Sequence, residues 1–355
     1  PVQGAMVDIG TAYGISWRSA GLAAGAFASN SISTAGESGS FTAGGLPGNA
    51  FVLNNGSPWT PDAELDPTTN AVIKIQVTTP AQDTDVMTYS DSFTLRGLKV
   101  LSPNIGTNWI IGGQGTVAFL SAGMGPGAFA NLYYSTNGVD YDLANPIAQN
   151  VPVSDGLNVV PWNIENAPAL TRTPSTNASV MAVCGAYSHK SKPFKLSGIR
   201  ITTPKSTDIW AVSDLTNTIR WVAVDAAASF NLQYLVWESP INWGNPKTNG
   251  VVAVGAAGAS YDWTMTSDAL GSNVAIRITD GTYTTTSEVF QIIGTPGVQI
   301  ANPKSGDFWK TTETNEIRWI KAGSMSNDFW LAWSPAPYTV TNVLAVGSFP
   351  YSDGM

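Results

Sequence analysis

Charge is scarce in this sequence. Charged residues make up 12% of its 355 residues, whereas a typical soluble domain has about 25%. Solubility must therefore come from Ser, Thr, Asn and Gly, a surface that is common in secreted and cell-surface β-proteins and unusual in cytosolic enzymes. The formal net charge is −8. This excess of acid argues against nucleic acid, whose phosphates require a basic face, and against binding to an anionic membrane surface.

Cysteine and histidine are each present once, as Cys184 and His189. One cysteine excludes an intrachain disulfide and a zinc site built from several thiolates. Any Ser–His–Asp or Cys–His mechanism would have to use His189, which lies in a polar run just before a strand. We therefore expect that the chain is not an enzyme and that neither residue is catalytic.

Long hydrophobic runs are also missing. No stretch reaches the roughly 18 apolar residues that a membrane-spanning helix needs, so we expect no membrane insertion in this segment. No signal peptide is visible, and the chain starts at Pro1. The simplest interpretation is a mature protein whose targeting segment has been removed.

A short pattern occurs three times in the chain. A proline is followed six residues later by a tryptophan at Pro103–Trp109, Pro204–Trp210 and Pro303–Trp309. In each copy a second aromatic residue follows, at the end of an Ile-x-Trp pattern or its equivalent. These residues are Phe119, Trp221 and Trp319. The copies lie 101 and 99 residues apart. A unit of that size can close its own hydrophobic core, so the pattern predicts tandem independent domains.

The repeated segments alternate apolar and polar residues with a period of two, which indicates strands with one buried face. Short β-branched and aromatic runs are separated by turns, and no amphipathic helix is evident. The predicted fold is all-β: tandem immunoglobulin-like antiparallel β-sandwiches that are disulfide-free. The predicted domains are a divergent one at 1–96, regular ones at 97–197 and 198–295, and the first half of a further one at 296–355. We expect the native chain to continue beyond it.

The predicted junctions between domains are short. A closing Ser-x-x-Phe strand runs almost directly into the next opening strand at Arg96-Gly97, at Ser197-Gly198 and at residues 294–297. Such short junctions limit the movement of neighbouring domains relative to each other, unlike long Gly/Ser linkers.

The frame carried by Pro204, Trp210, Trp221, Leu232 and Tyr234 resembles the Ig-like and fibronectin-III-like modules repeated in large prokaryotic cell-surface proteins of the surface-layer or adhesin type. It is also similar to the Ig-like domain of the fungal Ser/Thr-rich, GPI-anchored cell-wall family. The resemblance covers most of residues 98–340. It implies an extracellular or cell-surface location and a structural role, and it carries no catalytic residues.

Two groups of polar residues are candidate sites. Asn137, Asp140 and Asp142 alternate in a turn and offer the hard oxygen ligands that calcium prefers, so they are a candidate calcium site. No other cofactor is expected. The densest acidic cluster, Asp62, Glu64 and Asp66, lies in a proline-bounded loop beside Trp59 and is a candidate sugar site, although solvated loop acids are the commoner case.

Four tryptophans outside the repeat frame are candidate ligand or interface aromatics: Trp59, Trp237, Trp243 and Trp330. Exposed aromatic faces can stack on sugars or anchor a protein interface. The tryptophans that recur in every copy are instead expected in the cores.

The function predicted from these patterns is structural. We expect an extracellular repeat protein that self-associates into a surface layer, sheath, filament or stalk. The alternatives are an adhesin or carbohydrate-binding array with glycans as partners, and the non-catalytic tail of a secreted hydrolase.

Overall fold

The computed structural model describes most of the chain. The described residues are 1–21, 26–46, 50–51, 56–78, 86–164, 172–212, 216–237, 241–242, 244–265, 269–294, 297–302, 307–310, 313–322, 328–333 and 342–348. These residues form 28 strands and contain no α-helix. Cys184 is a free, buried thiol. The predicted all-β, disulfide-free fold is confirmed. The part of the chain that the structure describes has no helix long and apolar enough to span a membrane.

Strands with alternating burial assemble into three consecutive sandwiches. The first contains β1 (Met6–Asp8), β2 (Tyr13–Ser16), β3 (Phe27–Ser33), β4 (Ala50–Phe51), β5 (Gly56–Trp59), β6 (Thr68–Thr78), β7 (Val86–Tyr89) and β8 (Phe93–Ser102). The second adds β9 (Asn108–Ile110), β10 (Gln114–Ala122), β11 (Phe129–Ser135), β12 (Ala148–Pro152), β13 (Gly156–Asn163), β14 (Ser175–Cys184), β15 (Tyr187–Lys190) and β16 (Phe194–Thr203).

The third sandwich follows the same plan, and two further strand pairs come after it. The third contains β17 (Ile209–Ala211), β18 (Asn217–Val224), β19 (Ser229–Val236), β20 (Thr248–Ala257), β21 (Ser260–Trp263), β22 (Gly271–Thr279), β23 (Thr284–Thr286) and β24 (Phe290–Ile293). The pairs are β25 (Gly297–Asn302) with β26 (Arg318–Ala322), and β27 (Asp328–Trp333) with β28 (Asn342–Ser348).

One strand order recurs in the sandwiches. In the second, β13–β10–β8 forms one sheet and β12–β11–β14–β16 the other. In the third, β21–β18–β16 faces β20–β19–β22–β24. In the first, β5–β2 faces β4–β3–β6–β8. A short early strand also pairs in parallel with the last strand each time, as β1–β8, β9–β16 and β17–β24. Two antiparallel sheets in this order are an immunoglobulin-like or fibronectin-III-like arrangement.

Two predicted junctions lie inside single strands. The first part of β8 pairs with β6 and its second part with β10, so the chain passes through Arg96-Gly97 without leaving the ladder. β16 runs through Ser197-Gly198 in the same way, pairing first with β14 and then with β18. The third junction includes residues outside the described ranges. A strand that continues in this way leaves no room for a glycine-rich linker, so the short-junction prediction is confirmed at Arg96-Gly97, inside the first unit.

Hydrophobic residues form one principal core in each sandwich, within residues 7–95, 98–196 and 199–292. Trp221 is 2% exposed in the third core, as its place in the repeat predicts. The side chain of its counterpart Trp319 lies outside the described part. Contacts group the chain into two compact units, Pro1–Glu165 with Pro174–Ser197, and Asn166–Thr173 with Gly198–Met355. The four-domain boundaries remain a prediction.

Candidate functional site

A set of polar contacts lies where the first sandwich meets the second. We call it the joint. Its members are Asp8, Glu64, Asp66, Arg96, Lys99, Tyr187, His189 and Lys192. β8 runs through the middle of the joint and supplies Arg96 and Lys99.

Arg96, Asp8 and Tyr187 form one side of the joint. The guanidinium donates through Nε to Asp8 Oδ1 at 2.5 Å and through Nη2 to Asp8 Oδ2 at 2.9 Å. From β15, Tyr187 donates its hydroxyl to Asp8 Oδ1 at 3.0 Å, and its ring lies 5.4 Å from the Arg96 guanidinium carbon. The hydrogen bonds from Arg96 lower the pKa of Asp8, and burial raises the pKa of Tyr187. A strand residue of the second sandwich is thus bonded to an ion pair of the first.

The acidic loop forms the other side. Lys99 Nζ lies 2.7 Å from Asp66 Oδ1 and also donates to the backbone carbonyl of Glu64. Lys192 Nζ lies 2.5 Å from Glu64 Oε1, and its hydrogen bond lowers the pKa of Glu64. The third acid, Asp62, accepts the Glu64 N–H at 3.0 Å and so shapes the loop. Two of the three clustered acids therefore face lysines. The sugar site predicted at this cluster stays an untested prediction.

His189 of β15 accepts a hydrogen bond from β8, the strand that runs through the joint. Its Nδ1 accepts the Val100 N–H at 3.1 Å, so the neutral ring carries its hydrogen on Nε2. Burial lowers the pKa of His189, nearby Glu64 opposes this shift, and Lys99 and Lys192 add to it. The neutral form is therefore favoured, and this is the form that can accept the Val100 bond.

Cys184 ends β14, five residues before His189 in the chain, and it is buried. Burial raises the pKa of its thiol. A nucleophilic cysteine needs the opposite shift toward thiolate. The raised pKa works against a nucleophilic role for Cys184, and the expectation that neither residue is catalytic stays a prediction.

Glycines allow the backbones at the joint to approach closely. A Cβ added to Gly97 would lie 3.0 Å from Ile9 Cδ1, and the Ile9 N–H donates to the Arg96 carbonyl at 3.0 Å. Gly123, after β10, has a φ of +71°, and a Cβ there would lie 3.0 Å from Arg96 Cγ. A larger residue at Gly97 would require Ile9 to shift slightly, and one at Gly123 would require Arg96 to shift and would strain the backbone.

The predicted calcium residues are engaged with one another and with their own turn. Asn137 donates through Nδ2 to Asp140 Oδ2 at 2.8 Å, while its Oδ1 accepts the backbone N–H groups of Val139 and Asp140 at 2.9 Å each. The carboxylate of Asp142 accepts from Asn145. No group of three acidic, histidine or cysteine side chains suited to a metal occurs in the described ranges. The calcium site stays an untested prediction.

Two of the four candidate aromatics lie in cores. Trp59 is 1% exposed, donates from Nε1 to the Gly44 carbonyl at 3.0 Å and meets Phe93 edge to face. Trp237 is buried with Leu235 and Ala275. Rings so enclosed have no free face for a sugar or a partner, so the prediction of accessible aromatics is wrong for both. Trp243 and the side chain of Trp330 lie outside the described residues.

Sequence reasoning missed Asp8, Arg96, Lys99 and Tyr187. One signal for the joint was available, because a chain with few charges places Arg96 and Lys99 on either side of a predicted junction. Their partners could not be found this way, since they lie 33 to 91 residues away.

Comparison with known proteins adds little. No protein-family model and no curated protein sequence matches the chain. Solved structures similar to parts of it are tandem all-β modules. The fibronectin(III)-like modules of CbhA from Clostridium thermocellum share 14% identity at a TM-score of 0.17, covering 56% of this chain and 93% of that one. The ICAM-5 D1–D4 ectodomain fragment shares 11% at 0.20, covering 97% and 89%. The N-terminal four Ig domains of Dscam1 isoform 6.44 share 10% at 0.19, covering 98% and 90%. These scores are too low to bear on function, and the fold class stands on the strand order described above.

Proposed function

We propose that this chain is a structural, non-catalytic, extracellular repeat protein whose sandwiches act as stiff segments and whose copies self-associate into a surface layer, sheath, filament or stalk. The observation that carries the proposal is the joint. A single strand passes from the first sandwich into the second, and three ion pairs and the His189 hydrogen bond connect the strands and loops around it.

The contacts of the joint are better suited to resisting bending between the two sandwiches than to stabilising either sandwich on its own. Exposed ion pairs each contribute only about 0–1 kcal/mol to stability. Several pairs placed on both sides of one strand nevertheless oppose rotation about it in either direction. A chain with so few charges places six of them here. A filament or lattice protein needs a fixed orientation between neighbouring modules.

Stiffness can be measured in the full chain. Spin labels on cysteines replacing exposed Thr88 on β7 and Gln149 on β12, in a Cys184→Ala background, report the distance between the first two sandwiches by pulsed electron resonance. We expect one narrow distance distribution. Adding Asp8→Ala and Lys192→Ala should broaden it, whereas Lys205→Ala, an exposed lysine of the third sandwich, should leave it unchanged.

A broad distribution in the parent protein would contradict the proposal, since a flexible joint suits modules that act independently. That result would favour the binding-array alternative.

A further inference from the structure

β13 is the longest edge strand among the described residues that has no charge and keeps an unbroken register with its neighbour. Proteins normally protect edge strands with bulges, prolines, charges or short length. The pairings of edge strands β12 and β20 with their neighbours contain register shifts, β21 has four residues including Asp262, and β5 has four including Pro58. β13 has eight residues, none of them charged, in unbroken register with β10, and its only protective residue is Pro161, at the sixth position of the strand.

No described strand pairs with the outer edge of β13, which offers main-chain groups at alternate residues. Ile164, just after the strand, donates to the Gly113 carbonyl at 3.0 Å, so even-numbered residues point their main-chain groups at β10. Leu157 and Val159 then direct both N–H and C=O away from the sheet. Pro161 falls in the same set, where its missing N–H costs no ladder bond.

The beginning of this edge is held in place before any partner arrives. Asn158 donates to the Ser154 carbonyl and to Ser121 Oγ, each at 2.9 Å, and its Oδ1 accepts the Ser154 N–H at 3.0 Å. Leu157 and Val159 are 59% and 57% exposed on the outer face. A fixed, uncharged and apolar edge is suited to adding another strand.

We propose that β13 pairs antiparallel with β13 of a second copy, about a two-fold axis at Asn158. Leu157 of each copy lies opposite Val159 of the other, which gives four main-chain hydrogen bonds and places four apolar side chains together on one face. This inference rests on the proposed self-association and names one surface that carries it.

The second copy fits this edge for two reasons. A two-fold axis brings the same residues against each other, so an edge that is uncharged on one side meets an uncharged edge on the other. Pro161 also selects the register, because a shift that sets Leu157 opposite Pro161 loses hydrogen bonds. Since β13 has no charged residue of its own, it offers no electrostatic recognition to a charged partner.

The first test is sedimentation of the full chain over a concentration series. Val159→Lys places two like charges beside each other in the pair, and we expect it to raise the dissociation constant at least tenfold. Val254→Lys is the matched control, because Val254 is 77% exposed on edge strand β20, whose pairing with β19 contains register shifts. We expect the control to sediment like the parent chain.

The second test reads the register. A spin label on a cysteine replacing exposed Asn163, in the Cys184→Ala background, lies ten residues along the strand from its mate in the proposed pairing. At about 3.4 Å per residue this predicts a separation of about 34 Å.

The outcomes separate the two proposals. If the parent chain self-associates and Val159→Lys does not weaken it, or if an unrelated extended peptide and not a second copy occupies the edge, the β13 proposal is overturned and self-association stands. A parent chain that stays monomeric overturns both.

Discussion

Replacing Asp8 by Asn tests the joint with the least change in shape. The side chain keeps its size but loses its charge, and its amide nitrogen can no longer accept from Arg96 Nη2. Both side chains of the pair are 29% exposed. Hydrogen bonds to charged groups contribute about 1.5–3 kcal/mol when shielded, and exposed pairs about 0–1. For this intermediate exposure we expect a loss of about 1–2 kcal/mol.

Hydrogen exchange read by mass spectrometry can localise that loss in the full chain. Amides of β1 and β15 should exchange roughly five- to thirty-fold faster in Asp8→Asn, because each 1.4 kcal/mol is about a tenfold change. Glu313→Gln is the control, since its ion pair with Lys310 is more than half exposed on both sides. If Asp8→Asn has no larger local effect than this control, the ion pair does not hold the joint.

Three further predictions follow from the same contacts. Trp59→Phe should destabilise the first sandwich by about 1–3 kcal/mol more than Trp221→Phe destabilises the third, because Trp59 Nε1 has an acceptor and the buried Trp221 Nε1 has none among the described atoms. Hydrogen exchange measured as a function of denaturant gives both losses. The pKa values of Asp8 and Glu64 in the folded chain lie below their ordinary values. The stability that these carboxylates contribute is therefore complete above pH 4.5 and should be lost as the pH falls through the folded-state pKa values. The distance distribution between the spin labels on the first two sandwiches should broaden in acid. Because the pKa of His189 is lowered in the folded chain, the unfolded chain binds the proton first as the pH falls, and the free energy of unfolding should decrease below pH 6.5. His189→Asn keeps an acceptor and should remove that part of the pH dependence, as measured by chemical denaturation.

Strands and cores were accessible from the sequence because both depend on local pattern. Alternation with a period of two identifies the buried face, and its return about every 100 residues places Trp221 in a core. The same logic could not separate Trp59 from the acids beside it. The ring is covered by the Gly44 loop, 15 residues earlier in the chain, and no local pattern records that contact.

The joint could be predicted only in part. Its location followed from the short junction at Arg96-Gly97, since a closing strand that leads straight into an opening strand leaves no linker. Its chemistry depends on pairs such as Asp8 with Tyr187, which are 179 residues apart and meet only after both sandwiches have formed. Burial at such contacts also changes what a residue can do, as it does for His189.

Imaging native particles by electron microscopy tests the central claim most directly. We expect ordered polymers or a lattice in which the sandwiches recur at a regular spacing. Separate chains at high concentration would contradict the proposed function, because copies that pair through an uncharged edge should not remain apart.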